Sequence, residues 1–202
     1  SNCILRSKSG IRDRNKPIGN FLLLGTTGVG KTFTAKMLAQ SVFGGEEKII
    51  RVDMSEFSEK ASISRLIGAS PGYVGFEDGG YLTEAIRKNP YSVVLFDEIE
   101  KAHPDISQIL LQIMDEGELK DSNGKVANFR NSIILLTGNV GYKSFDTQKT
   151  MGFSGGESSP SFADSRKNVI EEAKKTFKPE FINRLDEIII FRSLSKEDNI
   201  KI

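Results

Sequence analysis

A lysine and a threonine that follow a run of glycines, and two adjacent acids that close an apolar run, are the residues whose types and spacing could do chemistry. Gly25-Thr26-Thr27-Gly28-Val29-Gly30-Lys31-Thr32 comes directly after the apolar run Phe21 to Leu24 and opens a helical stretch. In that strand–loop–helix setting, the Gly-x-x-x-x-Gly-Lys-Thr spacing reads as a phosphate cradle. Glycines let the backbone wrap its amides around phosphate oxygens, and the helix N-terminus adds partial positive charge. Lys31 would reach the β- and γ-phosphates, and the Thr32 hydroxyl would hold Mg²⁺. A chance match in an ordinary loop is the alternative; the apolar strand before it and the expected amphipathic helix after it argue against that.

Val93-Val94-Leu95-Phe96 ends in Asp97-Glu98. Acids at the carboxyl end of a buried strand stand in the crevice where parallel sheets bind ligands. Asp97 would hold Mg²⁺ through its waters, and Glu98 would polarise the water that attacks a γ-phosphate. The bland alternative is a pair of acids capping the next element. Asn139 follows Leu136-Thr137-Gly138; its carboxamide can donate and accept at once, which suits a group placed between a water and a phosphate. Alone, an Asn after a strand reads as a turn residue.

Positioning these groups requires strands that end together. Five apolar runs, Phe21 to Leu24, Ile49 to Asp53, Ser92 to Asp97, Ser132 to Thr137 and Glu187 to Phe191, are rich in Val, Ile, Leu and Phe without alternation. That pattern predicts strands buried on both faces of a parallel sheet. Helices are predicted over about Lys31 to Phe43, Ser58 to Ile67, Tyr81 to Lys88, Pro104 to Glu116 and Asp164 to Phe177. In the fourth, Pro104 suits a first turn, and Ile106, Ile109, Leu110 and Ile113 form a core stripe. The alternation of elements predicts an α/β, three-layer domain with a five-stranded parallel sheet. Two Gly-rich stretches, Ala69 to Gly80 and Gly138 to Pro160, resist regular structure, and loops of that length are functional or disordered.

Composition narrows the classes. With 202 residues, 28 Lys plus Arg and 27 Asp plus Glu, the chain carries a net charge of +1. Whole-molecule basicity therefore gives no argument for nucleic acid or an anionic membrane. One cysteine, Cys3, and one histidine, His103, exclude an internal disulfide framework and leave few soft ligands for zinc; a reducing compartment is the natural reading. His103 is expected to be a local hydrogen-bonding group. No apolar run approaches the roughly 20 residues that span a bilayer.

Taken together, the motifs resemble the AAA+ ATPases, and more closely the second ATPase module of the Clp unfoldases. The resemblance runs from Pro17-Ile18-Gly19 through Asp53-Met54-Ser55-Glu56-Phe57, Pro71-Gly72-Tyr73-Val74-Gly75, Glu98-Ile99-Glu100-Lys101-Ala102-His103-Pro104 and Pro179-Glu180-Phe181-Ile182-Asn183-Arg184-Leu185-Asp186. It departs at Thr26, where that family usually has proline, and at Gly138, where serine is common. The fold it implies is a P-loop NTPase, the AAA+ large subdomain, over residues 21–192. Residues 1–20 would be a lead-in, with the upstream part of the module missing. Residues 193–202 would begin the connection to a small helical subdomain.

The resemblance also implies an activity. Such modules bind and hydrolyse ATP with Mg²⁺, form homo-hexamers and thread unfolded or tagged proteins through a central pore. Tyr73, with Val74 beside it, would grip the polypeptide; a core or lid aromatic is the alternative for Tyr73, and the nearby Glu77 and Asp78 disfavour stacking on nucleic acid. Arg184 matches the arginine finger that enters the neighbouring subunit's ATP site. Without the resemblance it reads as a surface residue paired with Asp186 or Glu187. The triplet Met151-Gly152-Phe153 looks like the loop that docks ClpC-type proteins on the ClpP peptidase, the alternative being that it packs on its own domain. ClpB-type disaggregases, which lack that loop, are the near alternative, and a nucleic-acid-remodelling ATPase a more distant one. The resemblance implies a cytoplasmic location, or an organelle stroma or matrix, with neither nucleic acid nor membrane as partner. Residues 1–202 alone are expected to hydrolyse ATP weakly.

Overall fold

Runs that are apolar at every position can only be satisfied inside a sheet covered on both sides. The computed structural model, which describes residues 13–69, 79–140 and 162–191, builds that arrangement. Its elements are β1 (Gly19–Leu24), α1 (Lys31–Phe43), β2 (Ile49–Asp53), α2 (Ile63–Ile67), α3 (Tyr81–Lys88), β3 (Val93–Asp97), α4 (Pro104–Glu116), β4 (Glu118–Lys120), β5 (Val126–Asn128), β6 (Ile133–Gly138), α5 (Phe162–Thr176), α6 (Pro179–Ile182) and β7 (Glu187–Ile190). Five strands pair in parallel in the order β2-β3-β6-β1-β7.

Strand parity divides the core. Phe21, Leu23, Val93, Leu95, Ile133 and Leu135 face α1, where Ala35 and Ala39 meet them; Leu22, Leu24, Val94, Phe96, Ile134 and Leu136 face the other helices, meeting Ile86, Leu110 and Val169. Because alternate residues leave a strand on opposite faces, two cores from one sheet are what these unbroken apolar runs require. Each fully buried Leu or Phe on them contributes about 1.5–3 kcal/mol of transfer free energy.

Several expectations are corrected. Only β1, β3 and β6 are buried at every residue; β2 and β7 are the sheet edges, with Arg51 and Glu187 exposed. The helix after the glycine loop is not amphipathic in the expected sense. Small alanines let α1 lie close on the sheet, while Phe33 and Met37 are exposed on its outer side. The stretch expected as one helix from Ser58 to Ile67 is instead a 3-10 turn, Lys60–Ser62, followed by α2, and a further 3-10 turn, Met54–Phe57, precedes it. Burial of Met54 and Phe57 pulls the chain inward there, and Asp53 caps the first turn through Ser55 N–H at 3.0 Å. The antiparallel pair β4 and β5 and the short α6 were not expected; α6 is held by Phe181, buried and stacked on Phe177 at 5.5 Å. Among the described residues no helix is long and apolar enough to cross a membrane.

Candidate functional site

The loop between β1 and α1 is rooted at its base by Gly25 N–H to Gly138 O (3.2 Å) and by Phe191 N–H to Leu24 O (2.7 Å). Gly28 and Gly30 have φ of 85° and 94°, a left-handed backbone that glycine adopts without strain, and nothing lies within 4 Å of where a Cβ would stand on either. Those two positions are therefore dictated by the turn rather than by crowding. Gly25 is different, since a Cβ there would come within 2.9 Å of Phe191 and Val29.

Lys31, the first residue of α1, is buried and its Nζ spends all three protons inside the protein: on Gly25 O (2.5 Å), Thr26 O (3.1 Å) and Asn139 Oδ1 (2.7 Å). Burial pushes its pKa below 10.5, and the charges of Asp97, Glu100 and Glu98 recover part of that loss. Burial thus works against the charged form where it stands, and an anion placed against it would favour that form.

Asp97 ends β3, with Oδ1 taking the Thr137 hydroxyl (2.5 Å) and Oδ2 taking Arg51 Nη2 (2.6 Å). Glu98 follows in a left-handed conformation, φ 57° and ψ 53°. Its Oε1 accepts from Asn139 Nδ2 at 3.1 Å and its Oε2 from Lys101 Nζ at 2.6 Å. Lys101 is correspondingly pushed above its usual pKa by that hydrogen bond. Asn139 therefore bridges the lysine to the glutamate through its two amide atoms, and its own N–H is held by Glu100 Oε1 at 3.0 Å.

Thr27, Gly28, Gly30, Lys31, Thr32, Asp97, Glu98 and Asn139 line one open cleft of about 430 Å³, together with Arg51 and Asp53. Gly25 and Thr26 serve it through their carbonyls, while Val29 is buried beside the loop. Thr32, with its hydroxyl, and Asp97, with its carboxylate, supply hard oxygen donors to the lining of this cleft. Mg²⁺ takes few protein oxygens and keeps several waters, so these residues fit it.

Other expectations fall elsewhere. Arg184 lies outside the cleft, with Nε on Asp115 Oδ2 at 2.7 Å. The expected partner Asp186 instead accepts Asn20 N–H at 2.7 Å, because β7 runs beside β1 and carries Asp186 to its start. His103 caps α4 by accepting Asp105 N–H at 3.1 Å. Tyr73 and Val74, and Met151, Gly152 and Phe153, lie outside the described residues. Sequence reasoning missed Arg51 and Thr137. A charged residue in an apolar run and a hydroxyl next to Gly138-Asn139 were the signals, but both acquire meaning only from the strand order.

A model of the AAA domain (Cdc48 subfamily) matches residues 16–188. The chain is 52% identical over 198 residues to the "ATP-dependent Clp protease ATP-binding subunit ClpC" of Staphylococcus aureus (strain USA300), covering 98% of this chain and 24% of that protein. Its counterpart in Staphylococcus epidermidis is 51% identical with the same coverage. Among solved structures, the Saccharomyces cerevisiae Hsp104–ADP complex superposes with a TM-score of 0.85 at 39% identity, covering 100% of this chain and 33% of that one. A closed-state reconstruction of Hsp104 with ATPγS and FITC casein gives 0.82 at 40% identity, covering 98% and 32%. The chain thus spans about a quarter of the length of the curated relatives it matches.

Proposed function

This chain belongs to the AAA domain family, Cdc48 subfamily, and from that membership we propose that it is the large ATPase subdomain of a cytoplasmic, ClpC-like protein unfoldase. In the full-length protein it assembles as a homo-hexamer, hydrolyses ATP and threads unfolded or tagged proteins toward the ClpP peptidase. The observation that carries this reading is the convergence of Lys31, Thr32, Asp97, Glu98 and Asn139 on one cleft.

The chemistry follows from what those residues hold. Lys31 exchanges its carbonyl partners for β- and γ-phosphate oxygens, which favour the charged form that burial disfavours. Backbone amides of the Gly28 to Thr32 turn, at the start of α1, would donate to the same anion. Thr32 and Asp97 would hold Mg²⁺, which neutralises charge developing on the transferred phosphoryl group. Glu98 accepts a hydrogen bond from the attacking water, and Asn139 steadies that water with one amide atom and the γ-phosphate with the other. Arg184 acts on the neighbouring subunit's nucleotide. Its pair with Asp115 is partly exposed and worth about 0–1 kcal/mol, so leaving it costs little. Tyr73 and Val74 contact the threaded polypeptide, and Met151, Gly152 and Phe153 dock on the peptidase.

In the full-length protein, Glu98→Gln is expected to keep ATP binding and lose at least about 100-fold in turnover, the scale of a general base. Turnover at the wild-type rate would overturn the assignment. A disaggregase that works without a peptidase is the second reading, favoured by the structural likeness to Hsp104.

A further inference from the structure

Strand β6 carries four buried apolar residues, Ile133 to Leu136, and then a fully buried hydroxyl at Thr137. Valine has the same shape, so a buried threonine here is accounted for by what its oxygen touches. Thr137 Oγ1 donates to Asp97 Oδ1 at 2.5 Å and accepts the backbone N–H of Glu98 at 3.0 Å. One atom thus holds the side chain of the first acid and the main chain of the second.

The direction of these acids makes that grip informative. Consecutive side chains leave an extended strand on opposite faces, yet Asp97 and Glu98 line the same cleft. The chain achieves this by leaving the extended conformation at Glu98, the one non-glycine residue with positive φ among the described residues. A residue with a Cβ holds such a conformation only where its surroundings over-determine it. Two ties do so: Glu98 N–H to Thr137 Oγ1 on one side, and Lys101 N–H to Glu98 O at 2.9 Å on the other. Register supplies the first, because the Phe96–Leu136 pairing brings Thr137 level with Asp97.

We infer that Thr137 is a positioning residue for ATP hydrolysis: its buried hydroxyl locks Asp97 and the left-handed Glu98 so that both carboxylates face one cleft. The inference rests on the reading that this cleft turns over ATP. Thr137 makes no hydrogen bond to Lys31 or to the glycine loop, which grip the phosphates. Its removal should therefore slow the chemical step while leaving nucleotide affinity in place.

The test uses the full-length protein, with ATP turnover and equilibrium binding of ATPγS measured for wild type, Glu98→Gln, Thr137→Val and Thr137→Ser. Thr137→Val is expected to lose about 10–100-fold in kcat, the scale seen for outer partners of metal-holding ligands. ATPγS affinity should stay within about threefold, and Thr137→Ser, which keeps the hydroxyl, should restore kcat. A kcat loss below about tenfold, a loss shared by Thr137→Ser, or ATPγS affinity falling in step with kcat overturns the inference. Should Thr137→Val fail to assemble, Thr137→Cys, whose thiol is a weak donor and acceptor, is expected to run about tenfold or more below Thr137→Ser; equal rates overturn it. No turnover by wild type removes the ATPase reading, whereas full turnover by Glu98→Gln leaves that reading and removes the role of Glu98; this inference falls with either.

Discussion

The turn between β4 and β5 hangs on one carboxylate. The Asp121 side chain is fully buried; Oδ1 accepts the N–H groups of Asn123 and Lys125 at 2.9 Å each, and Oδ2 pairs with Arg87 of α3. Beside it Ser122 N–H reaches Ile67 O at 3.2 Å, so the turn ties α2 to α3 on either side of residues 70–78. Asp121→Ala removes both functions at once. Breaking a buried ion pair costs about 3–5 kcal/mol. Arg87 is 23% exposed and keeps Glu84, which reduces its share to about 2 kcal/mol. The two N–H groups sit on an exposed turn where water replaces the carboxylate, at a net loss of about 0.5–1.5 kcal/mol each.

Urea unfolding at neutral pH should accordingly show Asp121→Ala less stable by about 3–5 kcal/mol. Asp121→Asn, which retains an acceptor and loses the charge, should cost about half of that. Acid adds an independent check. Burial alone would raise the Asp121 pKa, but the Lys125 N–H, Arg87 and the Asn123 N–H together hold it below 3.8. The unfolded chain then binds the proton more readily. Its contribution is complete above the unfolded value and fades as pH falls through the lower folded one. Asp121→Asn should flatten the stability profile in that acid window. A cost below about 1 kcal/mol for Asp121→Ala would refute the reasoning and leave Leu119 and Ala127, both buried, as what holds the hairpin.

Two further outcomes follow from the proposed function. Arg184→Ala should leave ATPγS affinity unchanged and stability within about 1 kcal/mol, while turnover by the assembled full-length protein falls by about 10³-fold or more; an unaltered rate removes the finger role. Deleting Met151 to Phe153 should abolish degradation of a folded substrate when ClpP is added and spare unfolding without it. Unchanged degradation moves the assignment to the disaggregase reading.

The contiguous parts of the candidate site are legible in the sequence. Gly25 to Thr32 is a local motif, and its backbone needs are met by residues adjacent in sequence, so spacing alone identifies it. Helices α1, α3 and α4 occupy the expected spans, because each begins at Lys31, Tyr81 or Pro104 and ends at a residue the chain cannot carry on in a helix. The three-residue strands β4 and β5 were not legible, since three residues carry too little period to distinguish a strand from a loop. Nor were the edges of the sheet: Ile49 to Asp53 and Ser92 to Asp97 are similarly apolar runs, yet one lies at an edge and the other near the middle.

By itself, then, the sequence determined the glycine loop between a strand and a helix, the acidic strand end and the parallel α/β class, all of them consequences of neighbours along the chain. Tertiary structure decided which groups meet across it. Lys31 finds Asn139 from 108 residues away, Arg51 finds Asp97 from 46, Thr137 finds Asp97 from 40, and Arg184 finds Asp115 from 69. The physical reason is strand order. Placing β6 between β1 and β3 brings the glycine loop and the two acids to opposite sides of the strand that carries Thr137 and leads into Asn139. No local propensity encodes that adjacency; burying both faces of the sheet does.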